Sequence, residues 1–514
     1  MSDPKEASKR SPASRQQPRE IELKLELASG TADPLLRHPS LANARPVPEQ
    51  SGHLHATYFD TDDHALHRAG ISLRIRRRDG VSIQTIKAEQ ETRGLAIDRG
   101  EWEKPVDDRL DFSAAEGTPL ASLLPDEDAR KRVKPLFTIE TERQAFEVQH
   151  NGAVIEMAVD RAEATAADRS LPFSEVELEL KKGESAALFV LARELSTAAP
   201  LRLSPVAKSE RGYRLVSDGS VRPFRADKIR LPQEASCAEA FQITARSCLG
   251  QMVLNEALVR QTRDSSALHQ MRVGLRRLRA AISLFKNQLL TDRESESLRN
   301  DLRWAGQQLG AARDLDVFLE RLRDMEDGEY DPSQLEVVEQ QRMQAYEDLL
   351  EALESRRFMD IVLQTAAWIE AGDWTRSETP GHEEAREHPS RDFAARELAR
   401  RWKRIRKLAK LVRDLDDEER HELRIRIKKL RYGAEFFASL FPSERALKRR
   451  KNLLTILEDL QETLGELNDL AVGGSLVPSL AALSPERMER RREKLLGKAE
   501  SASGKLAKTK PFWE

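Results

Sequence analysis

The 514-residue chain has only two cysteines, Cys237 and Cys248. If both fall on one helix, a rise of about 1.5 Å per residue sets them roughly 16 Å apart, beyond disulfide reach. Two thiols build neither a disulfide framework nor a zinc site, and a reducing compartment fits. No stretch approaches ~18 consecutive apolar residues, so no membrane span is expected. The N-terminal MSDPKEASKRSPASRQQPRE lacks an apolar core, so it is expected to be a disordered tail (1–18) and not a signal peptide. These absences point to the cytoplasm. Net charge is also nearly absent, with 85 Lys plus Arg against 87 Asp plus Glu. Any anion-binding surface must therefore come from local clustering. Aromatics are only 5%, and tryptophans 304, 368, 374, 402 and 513 show no stacking pattern, which argues against nucleic acid.

What is present is charge, at 33% of residues, in two different periodicities. Over 19–216 the period is two, and EIELKLEL, HATYFD, ISLRIRRR, VSIQTIKAE, DRGEWE, LFTIETERQAFEV, AVIEMAVDRAEA and FSEVELEL are expected to be strands. Asp79-Gly80 and Asn151-Gly152 are hairpin signals. An antiparallel sheet of eight strands able to close into a barrel is expected. A polar, proline-containing linker follows at 217–235. From 236 to about 500 the period is 3.6 and the expectation is all helix, in two parts of about 236–375 and 392–500, with a frayed tail at 501–514. The fold class is thus multidomain α+β, a barrel followed by tandem helical bundles.

The strands place like with like. Glu20, Glu22, Lys24 and Glu26 share one face of the first; Arg74, Arg76 and Arg78 alternate on another; Glu175, Glu177 and Glu179 alternate on a third. Lys87, Arg99, Glu101, Glu103 and Arg143 add to the set. A lone amphipathic strand would merely put its charges in water. Several together, on a sheet that closes, must line a lumen, where charge is costly unless paired or ion-bound. Carboxylates suit Mg²⁺ and arginines suit phosphate, so the set describes a polyanion site with metal. The succession ExExK, YFDT, LRIR, RGEWE, EVELEL and KSERGYRL resembles the CYTH family of triphosphate tunnel metalloenzymes. The resemblance implies an eight-stranded tunnel that binds a triphosphate with Mg²⁺ or Mn²⁺. It implies metal binding by Glu20 and Glu22, helped by Glu175, Glu177 or Glu179. It implies phosphate binding by Arg74, Arg76, Lys87, Arg99, Arg143, Lys208 and Arg211, catalysis by Lys24, and support from Glu101 and Asp160. Ala162 stands where the family often has glycine. Inorganic triphosphate is the expected substrate; the alternatives are a polyphosphate-anchoring protein with an inactive tunnel, or a thiamine triphosphatase or adenylate cyclase, which share the pattern.

In the helical half, HQMRVGLRRLR carries His269, Arg272, Arg276 and Arg279 within an arc of roughly 80°. The pattern returns 152 residues later as His421, Arg424, Lys428 and Arg431, and LGAARDLD at 309–316 is echoed by LGELNDLA at 464–471. One basic ridge would be a solvated face; a duplicated one suggests two related bundles with facing ridges. The duplicated His-x-x-Arg-x-x-x-Arg/Lys-x-x-Arg ridge, each followed by LG…D, resembles the CHAD family. That resemblance implies binding of inorganic polyphosphate by these eight residues, and fits association with polyphosphate granules.

Overall fold

The computed structural model describes residues 19–27, 32–89, 95–217, 222–323, 332–476 and 485–514; the expected tail at 1–18 lies outside them. All eight expected strands form: β1 Arg19–Leu27, β2 Gly52–Thr61, β3 Ile71–Arg78, β4 Val81–Glu89, β5 Ile97–Val106, β6 Val133–His150, β7 Ala153–Ala166 and β8 Arg169–Lys182. Both hairpin turns hold consecutive residues at positive φ, Asp79-Gly80 at 49° and 79° and Asn151-Gly152 at 49° and 76°. This is the geometry that Asp-Gly and Asn-Gly accept at little cost.

The sheet closes because β1 pairs with both β5 and β8, so the antiparallel ring runs β1-β5-β4-β3-β2-β6-β7-β8 and back to β1. The closing register sets Glu22 opposite Glu179, Lys24 opposite Glu177 and Glu26 opposite Glu175. Alternation then sends Glu20, Glu22 and Lys24 inward, while Leu23 and Leu25 are fully buried on the outer side. There they pack in the cluster that includes Leu188, Leu191 and Leu195 of α1, Ala186–Leu195. A short helix α2, Lys208–Val216, carries Lys208 and Arg211 against β7, β6 and β8.

The second half is helical: α3 Cys237–Thr262, α4 Ser265–Phe285, α5 Arg293–Gln308, α6 Gly310–Arg323, α7 Pro332–Glu354, α8 Arg356–Ala371, α9 Ser390–Ala409, α10 Asp417–Phe436, α11 Glu444–Leu476 and α12 Pro485–Lys508. The two ridge helices begin alike. Asp264 caps the Ala267 amide of α4 and Asp416 the Glu419 amide of α10, each five residues before its histidine. Both cysteines lie on α3, buried and free.

One expectation needs correction. Residues 501–514 are not a frayed tail: α12 runs to Lys508, and Phe512 and Trp513 are buried against Phe441 and Trp402. The apolar Pro-Phe-Trp ending outweighs the polar residues before it. The 217–235 segment is irregular over its described part, yet Ile229, Leu231 and Ala235 are buried, and the Leu231 amide donates to Ser439 Oγ at 2.8 Å.

The halves share a continuous apolar cluster. Within it α1 packs on α8, and the strand Leu201–Leu203, hydrogen-bonded to the end of β1, also meets α8. Buried Arg202 pairs there with buried Glu256 of α3 and with Glu354 of α7 at 2.8 Å, while Arg260 of α3 reaches Glu354 at 2.6 Å and Glu26 of β1 at 3.5 Å.

Candidate active site and basic cleft

The barrel encloses a cavity of about 160 Å³, lined by Glu20, Glu22, Lys24, Arg74, Arg76, Lys87, Arg99, Glu101, Arg143, Glu177, Glu179 and Lys208 among the expected residues. Asp160, Glu175 and Arg211 are buried just behind this lining. Sequence reasoning missed Tyr58, Glu156 and Lys181, which also line it. Tyr58 alternates with Leu54 and Ala56, an inward row that looks like ordinary core.

The charges sort into groups. At one end, Glu20 pairs with Lys87 at 2.7 Å and with Arg99 at 3.0 Å, and Arg99 also binds Glu22. Burial alone would raise the Glu20 carboxyl, but Lys87 and Arg99 hold it well below the ordinary range. Glu22, against the same burial, is pulled down to about 2 by Arg99 and Lys24.

At the other end, Lys208 Nζ sits 2.7 Å from Asp160, Glu175 and Glu177 alike. Arg143 donates to Asp160 at 2.8 and 2.6 Å and to Glu177. Lys24 stands between the ends, bonded to Glu177 and 3.3 Å from Glu22. Burial lowers its ammonium to about 8, despite Glu22 beside it. Burial would raise Asp160 and Glu175, yet Lys208 and its neighbours hold both low. Glu179, paired with Lys181 at 2.7 Å, is instead raised by burial. Arg211 supports Glu175 at 3.4 Å and stacks over Phe173.

Two arginines are less committed. Among the described residues Arg74 donates only to the Tyr58 hydroxyl, at 3.3 Å, and Arg76 to Glu103 at 3.4 Å. Arg74 beside it, with burial, lowers Arg76 to about 10. Their strand β3 is four places from β8 in a ring of eight, so arginines face the Glu175–Glu179 row across the full bore. Asp160, Glu175 and Glu177 bring carboxylate oxygens within 4.8 Å of one another. Three buried oxygen donors suit a hard divalent cation, and the ammonium groups of Lys24 and Lys208 now offset the charge an ion would offset.

In the helical half the two ridges meet. Lys428 lies in the field of Arg424, Arg276, Arg431 and Arg272, and burial with that crowding lowers it to about 8. The LG…D echo also acquires a meaning. Arg272 donates to the Leu309 and Gly310 carbonyls at 2.6 and 2.7 Å and reaches Asp314 at 3.4 Å. In the second copy a Cβ on Gly465 would lie 3.0 Å from Arg424, so glycine makes room for the guanidinium. The Asp469 side chain lies outside the described residues. Arg431 pairs with Glu458 at 3.2 Å and His421 with Asn468 at 3.1 Å. The His269 imidazole is lowered by burial and by Arg313. Among the described residues, Arg276, Arg279 and Lys428 make no hydrogen bond or ion pair with protein.

Among the described residues no helix is long and apolar enough to cross a membrane. Residues 18–213 match the CYTH domain model and residues 244–478 the CHAD domain model. A curated relative, the inorganic triphosphatase of Haemophilus influenzae, is 30% identical over 199 residues; the match covers 38% of this chain and spans 55% of that relative. Among solved structures, the CHAD domain of the plant Ricinus communis is 30% identical, covering 56% of this chain and 98% of that one, with a TM-score of 0.47. A Hippeastrum protein described by its dominant triphosphatase activity is 20% identical, covering 40% and 98%, with a TM-score of 0.30. The closed barrel with its charged bore, the facing ridges and the two domain matches agree: the chain carries a CYTH domain followed by a CHAD domain.

Proposed function

We propose that the tunnel hydrolyses inorganic triphosphate to pyrophosphate and phosphate with the help of Mg²⁺ or Mn²⁺, and that the helical half binds inorganic polyphosphate. The observation that carries the first reading is the division of the bore, arginines on β3 opposite carboxylates on β8. A phosphate chain laid between those walls meets forked donors on one side. On the other, Asp160, Glu175 and Glu177, with Glu20 and Glu22 on β1, would hold the metal. A bound divalent cation would neutralise charge on the attacking and leaving oxygens.

The chain's own residues do the rest. Arg74 and Arg76 orient the phosphoryl group under attack, and Lys24 and Lys208 exchange their carboxylate partners for phosphate oxygens. Water adds to the terminal phosphorus, the bridging P–O bond breaks, and pyrophosphate leaves. Among the described residues Tyr58 is the sole aromatic side chain in the lining, which there has no pair of rings to grip a base or thiazole. The similarity to the Haemophilus inorganic triphosphatase supports the same substrate.

The test is phosphate release by the full chain from triphosphate, ATP and thiamine triphosphate with Mg²⁺ or Mn²⁺. Triphosphate should be turned over fastest, and chelation should stop the reaction. A preference for ATP or thiamine triphosphate, or no release at all, would overturn the reading.

For the helices, support comes from three ridge cations without protein partners among the described residues, Arg276, Arg279 and Lys428, with Arg276 and Lys428 in each other's field where the ridges meet. Like charges kept together at a cost in mutual repulsion suit a linear polyanion.

A further inference from the structure

A second cluster of cations lies outside the duplicated ridge. A groove of about 300 Å³ runs between α4, α9 and α10, lined by Lys286, Arg400, Arg401, Arg404, Arg426 and Lys429, with Ile405 and Ile425 in its wall. Its lining holds one acid, Glu422, which reaches Arg426 at 3.5 Å. Glu397 of α9 occupies Arg400 and Arg401, each at 2.6 Å, and Arg401 also donates to the Ser283 carbonyl at 2.7 Å. Lys286, Arg404 and Lys429 make no hydrogen bond or ion pair with protein among the described residues.

The groove adjoins the ridge. Lys429 follows Lys428 on α10 but faces α9, and it is lowered by burial and by nearby Arg401, with Arg279 and Arg426 also contributing. Arg279, the last ridge residue of α4, therefore stands where the two basic surfaces meet. Groove cations on α9 have no basic counterpart in the duplicated motif, so they make the surface lopsided.

We infer that this groove is a second phosphate-chain subsite, which takes a length of polyphosphate leaving the ridge at Arg279 and Lys429. This rests on the reading that the helical half binds polyphosphate. The lining is cationic, concave and free of aromatic rings, so it offers charge without the stacking platforms that hold nucleic-acid bases. Phosphate groups repeat closely along a condensed chain, and spaced cations lining a groove can engage several at once. The groove therefore extends the number of phosphates held and sets a preference for longer chains.

The experiment uses the full chain and compares Arg404→Glu with Lys286→Glu (the groove pair) and Arg276→Ala with Lys428→Ala (the ridge pair). Binding is measured by salt titration for a short polyphosphate, a long polyphosphate and a single-stranded oligonucleotide. Melting curves superimposable on wild type establish that each variant is folded. The groove pair should weaken long-chain binding by roughly tenfold and flatten its salt slope, because fewer counterions are released. It should leave the short chain nearly unaffected, whereas the ridge pair should weaken both. If the ridge pair weakens binding but the groove pair leaves long-chain affinity and salt slope unchanged, the groove is a solvated face and this inference is wrong. If the groove pair weakens oligonucleotide binding as much as polyphosphate, the groove reads any phosphate backbone and the inference is again wrong. If neither pair changes any binding, the polyphosphate reading itself falls.

Discussion

The barrel bore and the helical cleft are both rich in arginine and lysine, yet they handle charge in opposite ways. In the bore nearly every cation has a carboxylate within bonding reach; Lys208 and Lys24 each reach three. In the cleft, Arg276, Arg279 and Lys428 have none among the described residues. The difference follows from enclosure. Inside a closed barrel unpaired charge is costly, so cations and anions are laid down together. At a partly open cleft, water and salt screen the repulsion. A neutralised bore attracts a polyanion poorly unless its carboxylates are occupied by something else, and a metal ion would fill that need. The cleft needs no such partner.

The sharpest way to break the comparison is to remove a carboxylate from the bore. Glu177→Gln removes one carboxylate oxygen of the cluster proposed to hold the metal and one partner of Lys24, Arg143 and Lys208. Triphosphate turnover should fall roughly 10²–10³-fold, measured as phosphate release with Mg²⁺. Polyphosphate affinity should stay at the wild-type value, and chelation should likewise abolish turnover without changing that affinity. Equal loss of both would show that the two regions do not divide the work.

A smaller effect is expected from the arginine wall. Arg76→Ala removes a donor whose only ion pair among the described residues is with Glu103, at 3.4 Å. It should lower kcat/KM for triphosphate by roughly 10- to 100-fold and leave metal affinity close to wild type. A large loss of metal affinity would mean that this wall is not separate from the acidic one.

The smallest effect concerns pH. Lys428 in the free cleft is pulled to about 8 by burial and by Arg424, Arg276, Arg431 and Arg272 around it. A phosphate chain favours the charged form, so binding raises that value. The sign follows: affinity is full below about pH 8 and falls as pH rises through the free-state value. Lys428→Arg keeps its charge throughout and should flatten the fall between pH 7 and 9.5 in a polyphosphate titration. An unchanged pH dependence in the variant would remove Lys428 from the binding surface.

The two regions also differ in how far they could be read from sequence. Period-two alternation and the Asp79-Gly80 and Asn151-Gly152 turns fix the eight strands, because those signals are local. Which charges pair was not legible, since Lys24 and Glu177 meet only through the β1–β8 closure, 153 residues apart. Asp160 looked like a supporting residue and proves central to the acidic cluster. In the helices, duplication exposed the ridge at once, yet it could not show that Arg272 is already committed to the Leu309 and Gly310 carbonyls. Arg400, Arg401 and Arg404 sit in a charge-rich stretch with no repeat to single them out; only the packing of α9 beside α4 and α10 gathers them.

Arg202 carries a consequence for how the molecule comes apart. It is buried between the halves, bonded to Glu256 and Glu354, and the apolar cluster around it is continuous from barrel to helices. Separating the halves would break these pairs and expose the apolar cluster around them to water, at about 25 cal/mol for each Å² of apolar surface. The expected outcome of that shared core is that barrel and helices unfold as one cooperative unit. Any ligand that binds only the folded tunnel then raises the melting temperature of the helices as well, by mass action through the shared transition. On this reading triphosphate with Mg²⁺ should protect the helical half from heat without touching it, and Arg202→Met should split one melting transition into two.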